Sequence, residues 1–256
     1  MKKIVKVFPI ILMVFLFIFI SGCGKKLGGI QSDYDIDKKI SGEEIKKGDL
    51  FSTLLRSVNE FKKTYCGHIV LTIQYGNEKD ISELMFDFTG DKIEDWKFYI
   101  NIDANDLITE MFLLDGYAYT KVKINGETKK EKSNIKDDLK GTIEQNKERM
   151  LFNCLNLISL DDINDQSFYI ELYQNITKYS ENTEEHRFKA ILDAKSNLVI
   201  DYYDKDNGRV VFNENNKVIY LASKNQQSLK EIVFIYEQPK FNFPSKNGYK
   251  EVTKKD

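Results

Sequence analysis

LITEMFLLDGYAYTKVKI, residues 107 to 124, decides the fold. Two runs rich in β-branched, aromatic and apolar residues meet at Asp115-Gly116, and Asn125-Gly126 follows directly. Asp-Gly and Asn-Gly are the strongest short hairpin signals, because a two-residue type I′ turn needs positive φ at both central positions. Upstream the same period of two continues. In GHIVLTIQYG (67–76), Ile69, Leu71, Ile73 and Tyr75 alternate with His68, Val70, Thr72 and Gln74. In DWKFYINID (95–103), Trp96, Phe98, Ile100 and Ile102 alternate with Lys97, Tyr99, Asn101 and Asp103. Such alternation marks strands with one face buried. With ELMFDF (83–88), and Gly90-Asp91 as a further turn, the first half reads as an antiparallel meander of about five strands.

The period changes on both sides of this meander. Leu50, Leu54, Val58 and Phe61, widened by Phe51 and Leu55, recur at helical spacing. They predict a helix capped by Asp49 and ending near Thr64, just before Gly67. From Ser133 to Leu160, Ile135, Leu139 and Ile143 mark one helical face. Met150, Leu151, Cys154, Leu157 and Ile158 mark a second, with Gly141 separating two helices. Strands are expected to return from about Gln166, in SFYIELYQNITKYS, HRFKAILDA, NLVIDYYD, GRVVFNE, KVIYLAS and LKEIVFIYEQP, with a turn through Asp206-Asn207-Gly208. Apart from Pro9 the prolines are Pro239 and Pro244, so none interrupts a ladder between Ile10 and Gln238.

The order is helix, meander, helices, meander. Two small domains would satisfy it. One long sheet satisfies it better, because the middle helical segment is amphipathic and lies between two one-sided meanders. The expected fold is α+β: an antiparallel, strongly curved half-barrel sheet with helices packed on its concave face, in a single domain over 49–256. Over roughly residues 49 to 245 this pattern resembles the LolA/LppX-like lipoprotein carriers, on element order, the LLDGYAYTKV hairpin (113–122) and the closing VFIYEQPKFNFP (233–244). The resemblance implies an unclosed half-barrel with helices as plug or lid, which binds, and in some members carries, an apolar ligand such as a lipid or acyl chain. The same architecture also resembles lipoproteins that bind and regulate cell-envelope enzymes, including peptidoglycan hydrolases of sporulation or germination, and sensors of envelope stress.

The N-terminus gives the location. Lys2, Lys3 and Lys6 precede an uncharged run from Val7 to Ile20, shorter than the ~20 apolar residues of a spanning helix and right for a signal-peptide core. The run ends in FIFISGCGKK (17–26). Ile20-Ser21-Gly22-Cys23 resembles the lipobox of bacterial lipoproteins. That resemblance implies a signal peptide over 1–22, cleavage before Cys23, and a diacylglyceryl group on Cys23 with palmitate-type acylation. Two acyl chains hold a protein stably on a membrane where one does not. The expected site is thus the extracytoplasmic face of a cell membrane. The richness in Lys, Asn, Asp and Ile fits a low-GC Gram-positive bacterium. Residues 23–48 read as the lipidated cysteine and a flexible, polar tether. Loss of the signal makes the net charge more negative than the −2 of the whole 256-residue chain. A mildly acidic domain of pI near 5.9 offers no electrostatic case for nucleic acid.

Catalytic motifs do not emerge, and the expectation is a protein without enzymatic activity, metal or cofactor. His68 and His186 are far apart, each in a strand pattern. YDKDNGRVVFNE (203–214) places Gly208, Val210 and Glu214 at EF-hand positions, but Tyr203 and Lys205 stand where carboxylate or amide oxygens are needed. Asp161, Asp162 and Asp165 read as a solvated connection. The 17 phenylalanines and 14 tyrosines are more telling. On strand faces they serve as packing or as the lining of an apolar cleft. The expected cleft lies between the sheet and the middle helices, lined by Trp96, Phe98, Ile100, Phe112, Leu114, Met150, Leu151, Leu157, Ile158, Phe168 and Ile170. Cys66 and Cys154 are expected close together, either as a disulfide, which exported proteins can keep, or as two buried thiols.

Overall fold

The computed structural model describes residues 32–252, apart from 46, 105–106, 137–138, 161–165, 179–185 and 205. The expected signal peptide, Cys23, and the aspartates 161, 162 and 165 lie outside the described residues.

Thirteen strands form one open, curved sheet in the order β1-β8-β9-β10-β11-β12-β2-β3-β4-β5-β6-β7-β13, so the fold is α+β. The first meander is β2 (Cys66–Tyr75), β3 (Glu78–Asp87), β4 (Lys97–Ala104), β5 (Leu107–Leu114), β6 (Tyr117–Ile124) and β7 (Glu127–Asn134). The second is β8 (His186–Leu192), β9 (Leu198–Asp204), β10 (Asp206–Phe212), β11 (Val218–Lys224) and β12 (Ser228–Ile235). β12 pairs antiparallel with β2, Phe234 opposite Ile69, and this seam makes one sheet of two meanders. Two-residue strands close the edges: β1 (Glu43–Glu44) on β8 and β13 (Lys250–Glu251), parallel, on β7.

The two hairpin signals act where the sequence puts them. Asp115 and Gly116 have φ of 56° and 77°, and Asn125 and Gly126 have 50° and 84°. Both central residues of each turn are left-handed, the backbone of a type I′ turn. The second turn leads into β7, a sixth strand that the sequence hides. Its residues, ETKKEKSN, carry no apolar alternation because β7 lies near the sheet edge, where charge discourages edge-to-edge pairing.

The described residues include three α-helices: α1 (Lys47–Lys62), α2 (Ile143–Leu157) and α3 (Gln166–Lys178). α1 starts two residues before the expected Asp49 cap. Among the described residues between 133 and 160 one α-helix forms. Thr142 caps it, accepting from Gln145 N–H while Gln145 reaches back to Thr142 N–H, a reciprocal capping box. Ile135 and Leu139 still pack against the core, but from the connection before the helix. α3 replaces the strand expected at SFYIELYQNITKYS. Tyr169, Leu172 and Tyr173 supply a three-and-four spacing that buries one side of a helix, and Phe51 of α1 meets Tyr173 at 4.7 Å between ring centroids.

The turn expected at 206–208 is displaced. Asp206 already pairs with Asp204, and Gly208 sits within β10 opposite Tyr202. A Cβ on Gly208 would fall about 2.0 Å from the Tyr202 ring, so glycine serves close approach there rather than a turn.

The tether expected over 23–48 ends much earlier. Residues 32–45 lie against the sheet, with Tyr34 only 7% exposed. Tyr34, Ile36 and Ile40 pack with Ile191, Val199, Val211, Tyr220 and Ala222, on the face of the second meander opposite the helices.

Candidate functional site

Strand register sorts the sheet into two faces. The helix-side face carries Ile69 and Leu71, Leu84 and Phe86, Phe98 and Ile100, Leu113, Ile200, Val210, Phe212, Ile232 and Phe234. One continuous buried core joins these to Leu50, Leu54 and Phe61 of α1, to Met150, Leu151, Cys154 and Leu155 of α2, and to Tyr169 and Leu172 of α3.

Of the residues singled out as cleft lining, Trp96, Phe98, Ile100, Met150, Leu151 and Ile158 lie in this core, with Leu157 half-buried against it. Trp96 and Ile100 have 0% exposure and Leu151 1%. A side chain beside a void that admits water retains accessible surface, so these residues are packed on all sides. Trp96 also donates its indole N–H to Gly90 O at 2.8 Å and meets Phe88 edge-on.

Three candidates stand elsewhere. Phe112 and Leu114 have the opposite strand parity to Leu113. Phe112 is buried on the other face, stacked on Tyr119 at 4.6 Å and covered by Phe243 and Tyr249 of the C-terminal segment. Ile170 is half-buried on helix α3, not on a strand. The side chain of Phe168 lies outside the described residues. Cys66 and Cys154 are free thiols. Cys154 belongs to the helix-side core, whereas Cys66 shares the strand parity of His68 and points to the other face. Burial pushes the Cys66 thiol up to about 11 and the Cys154 thiol up as well.

Beyond Leu113, a strip on the helix-side face of β5 and β6 is less deeply buried among the described residues, with Met111 at its border with the core. Leu107, Thr109 and Met111 pair across to Ile124, Val122 and Thr120. Five of these are half-buried and Ile124 is 42% exposed. The strip is apolar and threonine-rich, and it carries no charge.

The opposite face is polar at its centre. His68 Nε2 lies 2.8 Å from Glu83 Oε1, without hydrogen-bond angles. Tyr99 donates to Glu110 Oε1 at 3.1 Å, and Lys121 Nζ donates to Glu110 Oε2 at 3.0 Å. Burial and Glu110 together raise the Tyr99 hydroxyl well above its ordinary value, so it stays a donor. Among the described residues no group of three or more His, Cys, Asp and Glu side chains is placed to hold a metal ion. No described helix is long and apolar enough to cross a membrane.

The N-terminal strap is held by a buried cation. Arg209 is 3% exposed. Its guanidinium donates to both oxygens of Asp201, at 2.5 and 2.9 Å, and to the carbonyls of Asp35 (2.6 Å) and Tyr34 (3.3 Å). The Tyr34 hydroxyl donates to Asp193 Oδ2 and accepts from Asn197 Nδ2, both at 2.5 Å. Lys195 pairs with Asp33, and Lys224 with Asp37. Sequence reasoning missed this site. Its only trace is an arginine in front of the apolar run Val210–Phe212.

Strap stability should depend on acid. Burial raises the Asp193 carboxyl, but the Tyr34 hydroxyl and the N–H groups of Asn197 and Lys195 outweigh it and hold the group below its usual value. A depressed carboxyl contributes stability that is complete above the unfolded value, near 4, and is lost as pH falls through the folded value. Tyr34→Phe should remove part of that loss. Urea unfolding from pH 7 down to pH 3 checks this: the wild type should lose more stability over the range than the variant.

No family model matches the chain, and no curated relative matches it. Solved structures similar to it include LprF from Mycobacterium bovis, with 11% identity and a TM-score of 0.34 over 80% of this chain and 99% of that one. The Mycobacterium tuberculosis lipoprotein LppX matches at 7% identity and a TM-score of 0.36, covering 77% and 99%. The MucA/MucB complex of Pseudomonas aeruginosa matches at 9% and 0.32, covering 73% of this chain and 55% of that one. Likeness at these scores adds nothing to the strand order and packing described above.

Proposed function

We propose that the chain is a non-catalytic lipoprotein, anchored through a diacylglyceryl group on Cys23 at the extracytoplasmic face of a cell membrane, that binds a cell-envelope protein. The carrying observation is that residues expected to line the cleft are packed instead: among the described residues Trp96 and Ile100 have no exposed surface and Leu151 almost none. A drug-sized or lipid ligand is ordinarily held in a cavity of roughly 300–1,000 Å3 that buries ~70–90% of it. The apolar surface left on the helix-side face is instead the open strip Leu107–Met111 and Thr120–Ile124. A shallow, uncharged surface of this kind suits the apolar centre of a protein interface. The partner class is taken from the resemblance in the sequence: an envelope enzyme, such as a peptidoglycan hydrolase, under control by binding.

A second reading, an apolar ligand such as an acyl chain, is favoured by the strip's lack of charge. It requires α1 and α3, which pack together through Phe51 and Tyr173, to lift as a lid. One pair of measurements separates the two. A photo-cross-linker at Thr120 or Val122 in cells should trap one defined envelope protein. Native mass spectrometry of the soluble mature chain, mixed with phosphatidylglycerol, should find it lipid-free. Stoichiometric bound lipid, with no protein adduct from either position, would reverse the assignment.

The anchor has its own test. Cys23→Ser should abolish incorporation of labelled palmitate and leave the chain unprocessed or released from membranes. Undiminished labelling in that variant removes Cys23 as the anchor.

A further inference from the structure

We infer that the strap, residues 33–40, is an orienting device: it fixes which end of the second meander faces the membrane. The inference rests on Cys23 being the anchor. A freely hinged link from Cys23 to residue 48 would span up to ~85 Å and let the domain face any way. With the strap docked, the chain is committed to the sheet from Asp33 onward. Eight residues lie between Cys23 and Ser32, nine steps along the chain with a reach of at most about 30 Å.

The point of entry is defined. Asp33 pairs with Lys195, and Tyr34 is held by Asp193 and Asn197, all in the β8–β9 turn. Asp35 then meets Arg209 on β10, and Asp37 meets Lys224 at the far end of β11. The strap therefore enters at the end of the strands that carries turns 193–197 and 213–217 and runs toward the opposite end. Glu43–Glu44 then pair with Ile191–Leu192, which brings the chain back to the first end before α1. A buried arginine in a bidentate pair, a buried tyrosine and two further ion pairs are more than a chance contact of a tether requires. They make the strap part of the domain, and the domain then inherits the direction of its anchor.

The turn 213–217 should accordingly lie near the lipid headgroups and the turn 225–227 away from them. Seven-residue strands separate the two by about 23 Å. The test uses the full chain, lipidated in the cell and reconstituted in phosphatidylglycerol vesicles carrying an acceptor dye on a small fraction of headgroups. Donor dyes are attached at Glu214→Cys or Gln226→Cys, both exposed turn positions, with Cys66→Ser to remove the half-buried thiol. The 214 donor should read closer to the headgroups than the 226 donor, by up to ~20 Å. Arg209→Met, and independently Tyr34→Ala, should erase the difference while the attached lipid mass and the circular dichroism persist. Equal transfer from both positions in a chain whose mass includes the lipid overturns the orienting role alone. A chain that carries no lipid on Cys23 and stays off the vesicles overturns the anchor, and the orienting role with it.

Discussion

Trp96→Ala should destabilise the fold by about 3–5 kcal/mol, the cost of removing a large buried aromatic from a packed site. For a domain of this size that corresponds to a fall of about 6–20 °C in Tm. The indole has 0% exposure, touches Phe88 edge-on at 5.9 Å and satisfies the Gly90 carbonyl. Substitution therefore leaves a cavity and an unpaired acceptor together. Urea unfolding at pH 7 measures the effect. The value also bears on function. A loss under ~1 kcal/mol would mean that the indole borders empty space, and a pre-formed ligand cavity beneath the helices would regain its case.

Arg209→Met should cost about 2–3 kcal/mol, the range for hydrogen bonds to a buried charged group. The figure stays below that for a wholly buried pair, because the Asp201 side chain is 39% exposed and water can take over its carboxylate. The loss should be local before it is global. Amide exchange over residues 33–40 should rise by orders of magnitude while β2–β7 keep their protection. Unchanged exchange in the strap would mean that Tyr34 and the flanking aliphatics hold it without the arginine.

The hairpins were legible because their chemistry is local. Asp115-Gly116 and Asn125-Gly126 each specify a turn within two residues, and the alternation beside them fixes which face is buried. β7 and α3 were not legible, for opposite reasons. β7 is an all-polar strand near an edge, with no buried face to write a period into its sequence. In α3 the aromatic and β-branched residues favour a strand locally, and packing of Tyr173 on Phe51 outweighs that preference. Phe112 shows a further limit. The register of β5 was readable, but the C-terminal aromatics Phe243 and Tyr249 bury the second face, so being buried did not mean facing the helices. The strap was the least legible of all. Tyr34, Ile36 and Ile40 sit in a polar, charged stretch, and their burial depends on Arg209, far along the chain.

The β2–β12 seam has a consequence for how the molecule is made. Ile69 meets Phe234 across the seam only when the last long strand has been made, so the sheet cannot be completed during most of synthesis. Within each meander neighbouring strands follow one another along the chain and form early, whereas the seam, like the two-residue edge pairings, must close a long loop, here from Ile69 to Phe234. Such non-local pairing slows folding. Until it happens, two half-sheets each expose a bare edge strand. Folding should therefore show a fast phase, in which the meanders form, and a slow one, in which they meet. The slow interval is when the chain is most open to misassembly or to a chaperone.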